Sequence, residues 1–239
     1  MMRFTFVLSA LFIGLLAAVL HQSVAADANT AGTPAWGSYN VTNGNGSICL
    51  MAAMGLQLNV SYHSASDNKT VASVINLQPN ATSASGACET ETATLILSSD
   101  WADGQKTNLT FVFSLNTTSK KYHLSGVNLS AVLLDMKDPP LLVGNPTLNY
   151  LPGTLDHSYM CRDQQTLTVT QGFSIHTYQL HVQPFGYNGE FGPAEECQLD
   201  MDDMLIPIIV GAALAGLVLI VLVAYLIGRK RSHAGYQTI

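Results

Sequence analysis

Two stretches of this chain are continuously apolar, and the residues between them alternate. Phe4 to Leu20 is interrupted only by Thr5, Ser9 and Gly14, follows Arg3, and leads into the small residues Ser23-Val24-Ala25-Ala26. A positive start, an apolar core and a small-x-small site predict a signal peptide over 1–26, cleaved after Ala25 or Ala26. Met204 to Gly228 carries no charged side chain. As a helix, Leu205–Ile227 would rise about 34 Å, enough for a hydrocarbon core about 30 Å thick. Pro207 falls in its first turn, where a missing N–H costs little. Gly211, Ala215 and Gly216 leave room for a second helix, so a homo-oligomer is one expected association. Asp200, Asp202 and Asp203 precede this span and Arg229-Lys230-Arg231 follows it. The cationic flank belongs on the cytosolic side, which agrees with the orientation the signal peptide imposes.

Between the two apolar segments the period changes to two. Leu56, Leu58, Val60 and Tyr62 alternate with polar neighbours, with Asn59 on the opposite face; Leu109, Phe111, Phe113 and Leu115 do the same between Asn108 and Asn116. Such alternation marks half-buried strands. Strands are predicted over 56–62, 71–77, 93–98, 109–115, 121–125, 127–134, 165–170 and 173–182, with a bulge or tight turn at Gly126, where the phase shifts. Pro139-Pro140, Pro146 and Pro152 break the middle into loops. The expected fold is all-β, a sandwich or β-prism over 36–203, preceded by a polar leader (27–35) and followed by a transmembrane helix (204–228) and a cytosolic tail (229–239). About 177 residues suffice for one domain with a real core. Trp36 and Trp101 read as core or glycan-stacking aromatics, and Met51 and Met54 as packing residues.

Charge and polar composition narrow the setting. Without Arg3 and the three tail cations, six Lys and Arg stand against sixteen Asp and Glu, a net of −10. That sign disfavours nucleic acid and anionic membrane surfaces as partners. Eight Asn-x-Ser/Thr sequons occur, at Asn40, Asn45, Asn59, Asn68, Asn80, Asn108, Asn116 and Asn128; Asn145 is excluded by Pro146. In an exported chain this density predicts a heavily glycosylated surface. A glycan needs water, so Asn59, Asn108 and Asn116 fix the register of their strands. Residues 131–203 contain no sequon, which leaves one part bare for self-packing, partners or the membrane. Four cysteines, Cys49, Cys88, Cys161 and Cys197, enter an oxidising compartment and predict two disulfides, with three connectivities open. None is spaced for a Cys-x-x-Cys knuckle, so no metal site is expected.

The tail ends Gly235-Tyr236-Gln237-Thr238-Ile239. A Tyr-x-x-apolar string in the cytosol can bind extended against a strand edge, with Tyr236 and Ile239 in separate pockets. Here the residues become familiar. Met204–Gly211 (MLIPIIVG) and Gly228–Ile239 (GRKRSHAGYQTI) resemble the span and tail of the lysosome-associated membrane glycoprotein family. Cys49–Leu56 (CLMAAMGL), Ser158–Cys161 (SYMC) and Phe191–Cys197 (FGPAEEC) stand where that family's cysteine motifs are expected, and the resemblance covers roughly residues 36–239. It implies a β-prism luminal domain with disulfides Cys49–Cys88 and Cys161–Cys197. It also implies residence in lysosome and late endosome membranes, with a minor cell-surface pool. Tyr236 and Ile239 would be read by clathrin adaptor medium subunits, and other lysosomal membrane proteins are further expected partners. Well-known members carry two luminal domains joined by a hinge, and macrosialin, with one, carries a mucin-like stalk; this chain shows one domain and a short leader.

Three function classes follow. The expected one is a type I membrane glycoprotein whose sugars shield the limiting membrane sterically. The alternative is a macrosialin-like endolysosomal receptor that binds partners through the sequon-free residues. A hydrolase is disfavoured, because no Gly-x-Ser-x-Gly elbow is present; no catalytic residue and no cofactor are expected. His176 and His181, five apart on one predicted strand, would face opposite sides and make a poor ligand pair.

Overall fold

Leu56, Leu58 and Val60 are fully buried, and Leu109, Phe111 and Phe113 join them in one apolar core. The computed structural model describes residues 32–101 and 104–234. The expected signal peptide, most of the leader and the sorting residues Gly235, Tyr236 and Ile239 lie outside the described residues. In chain order the elements are β1 (Trp36–Thr42), β2 (Ile48–His63), β3 (Thr70–Asn76), a 3-10 turn (Pro79–Ala81), β4 (Thr82–Cys88), β5 (Thr92–Asp100), β6 (Lys106–Asn116), β7 (Lys121–Val132), β8 (Leu141–Asn145), β9 (Tyr150–Thr154), β10 (Ser158–Cys161), β11 (Gln165–Thr170), β12 (Phe173–Gln183), β13 (Ala194–Glu196) and the helix α1 (Gln198–Ala234). Among the described residues the class is all-β with one long apolar helix.

A seven-stranded sheet runs β1-β2-β12-β10-β13, with β3 also on β2 and β11 also on β12. A six-stranded sheet runs β4-β5-β6-β7-β8, with β9 also on β7. The sheets adjoin at β1 and β4 on one side, and at β8–β11 and β9–β10 on the other. The long strands change partner along their length. β7 pairs β9 through Lys121 to Leu124 and β8 through Val127 to Ala131, and β12 pairs β11 and then β10. Each change falls at a bulge, where an extra residue bends the strand. In β7, Gly126 pairs Val112 and Leu124 pairs Phe113, leaving Ser125 as the extra residue. The two strands predicted around Gly126 are therefore one bulged strand.

Several strands escape the period-two rule for identifiable reasons. The first half of β2, CLMAAMG, is apolar without alternation because both of its faces are covered. Ala53 and Gly55 point outward yet are buried, and a Cβ on Gly55 would lie 3.0 Å from the Pro34 carbonyl. β4 (TSASGAC) has almost no large side chain. Its Gly86, at φ 153, lets the strand close on β5, since a Cβ there would lie 1.9 Å from Thr94 O. Trp36 is not a core residue: it lies on the outer face, 55% exposed, and its indole N–H donates to Gln179 O at 3.3 Å.

The helix is longer than the apolar stretch that predicts it, starting at Gln198 and ending at Ala234. Pro207–Arg229 is the segment long and apolar enough to cross a membrane, and none of it is buried within the protein. Burying side chains such as Phe111, Phe113 and Phe173 contributes about 1.5–3 kcal/mol each, and the membrane-crossing segment adds nothing to that core.

Candidate functional site

All eight sequon asparagines lie outside the core. Asn40 is on the exposed face of β1, and Asn80 is exposed in the 3-10 turn. Three sit in turns, two of which their own side chains shape. Asn45 Oδ1 accepts from Ser47 N–H at 2.9 Å, and Asn116 Oδ1 accepts from Thr118 and Ser119 N–H, each at 3.0 Å. Asn68, at φ 51, accepts from Lys137 Nζ at 2.9 Å. The other three rise from strand faces: Asn59 on β2 between Val74 and Ser174, and Asn108 and Asn128 on the adjacent strands β6 and β7. Asn145 behaves differently. Its Nδ2 donates to Val169 O at 3.1 Å, tying β8 to β11 across the two sheets.

The Asn68 turn is pinned by Asp135. Its carboxylate accepts from Ser64 Oγ, from Ser66 Oγ at 2.7 Å and from Ser66 N–H at 2.9 Å. The Ser64 and Ser66 hydroxyls, with the Ser66 amide, hold the Asp135 carboxyl below its ordinary range. Hydrogen bonds to the ionised form have that sign.

Both disulfides tie structural layers together. Cys49–Cys88 joins β2 of one sheet to β4 of the other, with a Cα separation of 6.2 Å. Cys161–Cys197 joins β10 to the residue before α1, at 5.1 Å. Closing loops of 39 and 36 positions, each would stabilise the fold by about 4 kcal/mol on the chain-entropy model.

The helix root is held a second way, by Asp200. This buried carboxylate in the first turn of α1 receives Arg162 N–H at 2.8 and 3.0 Å and Asp163 N–H at 3.1 Å. Arg162 reaches Glu196 at 2.9 Å, and Cys197 N–H donates to Met160 O at 2.8 Å. Cys161, Cys197 and Asp200 bring ligand-type atoms within 4.8 Å of one another, but the sulfurs are bonded to each other and the carboxylate is filled by backbone donors. The arrangement is a clamp. Sequence reasoning used Asp200 only as a flanking charge; an acid in the first helical turn, three residues beyond a cysteine, was the available signal.

His176 and His181 share the outer face, contrary to the expectation. Gln179, at φ 48, is a bulge that shifts the phase of β12, so Leu180 and Val182 take over the inward positions of Phe173 and Ile175. The two rings nonetheless serve different neighbours. His176 bonds Thr166 Oγ1 at 3.0 Å, whereas His181 Nε2 meets Ser158 Oγ at 2.8 Å. Ser158 gives its own proton to Gly192 O at 3.1 Å, so His181 Nε2 carries the donor. Phe191 stacks on the imidazole with centroids 3.6 Å apart, and burial pushes the His181 pKa down. The segment holding Phe191 thus folds back over the outer face of β2, β12 and β10. Met51 lies beneath it, with Tyr187 Oη 3.5 Å from its sulfur.

Outward sequons on a doubly cross-linked β domain, clamped to an exposed apolar helix, define a class: a membrane-anchored glycoprotein. The comparisons make it particular. The model of the family described as "Lysosome-associated membrane glycoprotein 2-like, luminal domains" matches residues 25–198, and that of "Lysosome-associated membrane glycoprotein 2, transmembrane segment" matches 206–237. Lysosome-associated membrane glycoprotein 1 of Homo sapiens is 48% identical over 208 residues, covering 87% of this chain and 48% of the relative. That of Gallus gallus is 49% identical over 209 residues, covering 87% and 49%. The crystal structure of the membrane-proximal domain of mouse lysosome-associated membrane protein 1 superposes with a TM-score of 0.63 at 34% identity, covering 70% of this chain and 99% of that one. The chain belongs to the lysosome-associated membrane glycoprotein family, structural glycoproteins of the lysosomal membrane. It spans about half the length of the curated relatives it matches.

Proposed function

We propose that this protein lines the luminal side of the lysosomal membrane with a coat of N-linked sugars and reaches it through its C-terminal tail. The observation that carries the reading is the outward placement of all eight sequon asparagines on one folded domain. Hydrated sugars rooted there would hold hydrolases off the backbone and the bilayer, and the two disulfides would resist unfolding between attacks. The role is structural, with no catalytic step. The net charge of the luminal part argues against nucleic acid as a partner. The route runs through late endosomes with a minor pool at the cell surface, where clathrin adaptor medium subunits take Tyr236 and Ile239. Homo-oligomers and other lysosomal membrane proteins are the partners in the membrane. The receptor alternative would use the sequon-free strands β8–β13, which lie together where the sheets adjoin; the Asp200 clamp occupies part of that sector, which favours self-packing there.

Two measurements test this. In a chase of the full chain, Asn→Gln at all eight sequons should shorten the half-life several-fold, with recovery when lysosomal proteases are inhibited. An unchanged half-life would count against the coat. Tyr236→Ala should shift the steady-state distribution from lysosomes to the cell surface; undiminished lysosomal enrichment would remove the sorting claim.

A further inference from the structure

We propose that the groove on the outer face of the six-stranded sheet is the seat of the sugar borne by Asn128, which lies over Gly144 and against Leu142. The inference rests on the reading of Asn128 as a glycosylated residue and adds what that sugar does.

Two sequons are set against each other in antiparallel register. Asn108 stands opposite Ser130, and Thr110 opposite Asn128. Each asparagine therefore faces the hydroxyl residue of the other's sequon, and the two roots are diagonal neighbours about 7–8 Å apart. On the far side of β7, Leu142 stands opposite Ser130 and Gly144 opposite Asn128. These residues line one open groove of about 450 Å³.

Gly144 sets the direction of the Asn128 side chain. A Cβ there would lie 2.2 Å from Asn128 Oδ1 and 2.6 Å from Val127 O, so the amide leans across the bare glycine towards β8. Beside it stands Leu142, 73% exposed, more than any other exposed large hydrophobic side chain among the described residues. An N-acetylglucosamine ring has apolar C–H faces, an acetyl methyl and a polar rim. Leu142 and the flat backbone at Gly144 match its faces, and the Thr110 and Ser130 hydroxyls match its rim. The seat has a further consequence: a sugar laid over β8 covers Leu142, the one exposed apolar side chain of that strand.

The test is a double-mutant cycle on the full chain, made in glycosylating cells, purified in detergent and melted by intrinsic fluorescence. Leu142→Ser should lower Tm by about 2–4 °C in the wild-type background and leave Tm unchanged in the Asn128→Gln background. An equal loss in both backgrounds, or a loss in neither, would overturn the proposal. Coupling to Asn108→Gln instead of Asn128→Gln would overturn the assignment to Asn128. Peptide mass spectrometry of the wild type reads the occupancy of Asn128 separately: an unmodified Asn128 would refute the glycosylation reading itself, and an occupied Asn128 without coupling only the seat.

Discussion

Burial pushes the His181 imidazole below its ordinary range, while Ser64 and Ser66 hold the Asp135 carboxyl below its own. Both shifts favour the deprotonated form in the folded state, and they act in different pH windows. For His181 the unfolded chain takes up a proton near pH 6.5 and the folded chain resists it to lower pH. Stability is therefore fully present above about pH 6.5 and is lost as pH falls through the depressed native value. Asp135 makes its contribution above the ordinary carboxylate range and loses it only in stronger acid, so the Asn68 turn stays pinned in an acidic lumen. The His181→Gln variant should show a flatter dependence of Tm on pH between 7.5 and 5.5 than the wild type, both melted across that range. Parallel curves would show that the His181–Phe191 stack does not titrate in this window.

At the scale of elements, the clamp at the start of α1 is the feature the residues disclosed least. Asp200 takes two backbone N–H groups from the segment after β10, next to a disulfide that joins the same two elements. Removing the carboxylate leaves those donors part-buried and unmet, so Asp200→Ala should destabilise the domain by about 2–4 kcal/mol, measured by denaturant unfolding. Asp200→Asn, which keeps one acceptor, should cost less. A loss within about 0.5 kcal/mol for Asp200→Ala would mark it as an ordinary surface acid. Strands were legible where one face is wet. β6 and the second half of β2 show clean alternation because their outer faces carry sequons. The first half of β2 hid because Pro34 and the returning Phe191 segment bury its outside, and β4 hid because its packing depends on small residues. The bulge at Gln179 could not be read from spacing, since a single left-handed residue reverses every facing after it; that is why His181 turned up on the same side as His176.

On the scale of the whole molecule, the all-β class and the apolar span at Pro207–Arg229 were written in the period and length of the hydrophobic runs. The meeting of Asn108, Asn128, Leu142 and Gly144 was not, because it depends on the exact register of three consecutive strands, set by the bulge at Ser125, and on β8, which the prolines around it concealed. The clamp couples the two readable parts: the luminal domain is bound to its span by a disulfide and a filled carboxylate. Everything proposed for the protein depends on that span dividing it, with sugars on one side of a bilayer and Tyr236 on the other. Protease added to intact organelles tests this most directly, with a C-terminal epitope and an antibody to the β domain as readouts. The account predicts loss of the epitope alone, with the β domain protected until detergent is added. Digestion of the β domain in sealed organelles, or survival of the epitope there, would contradict it.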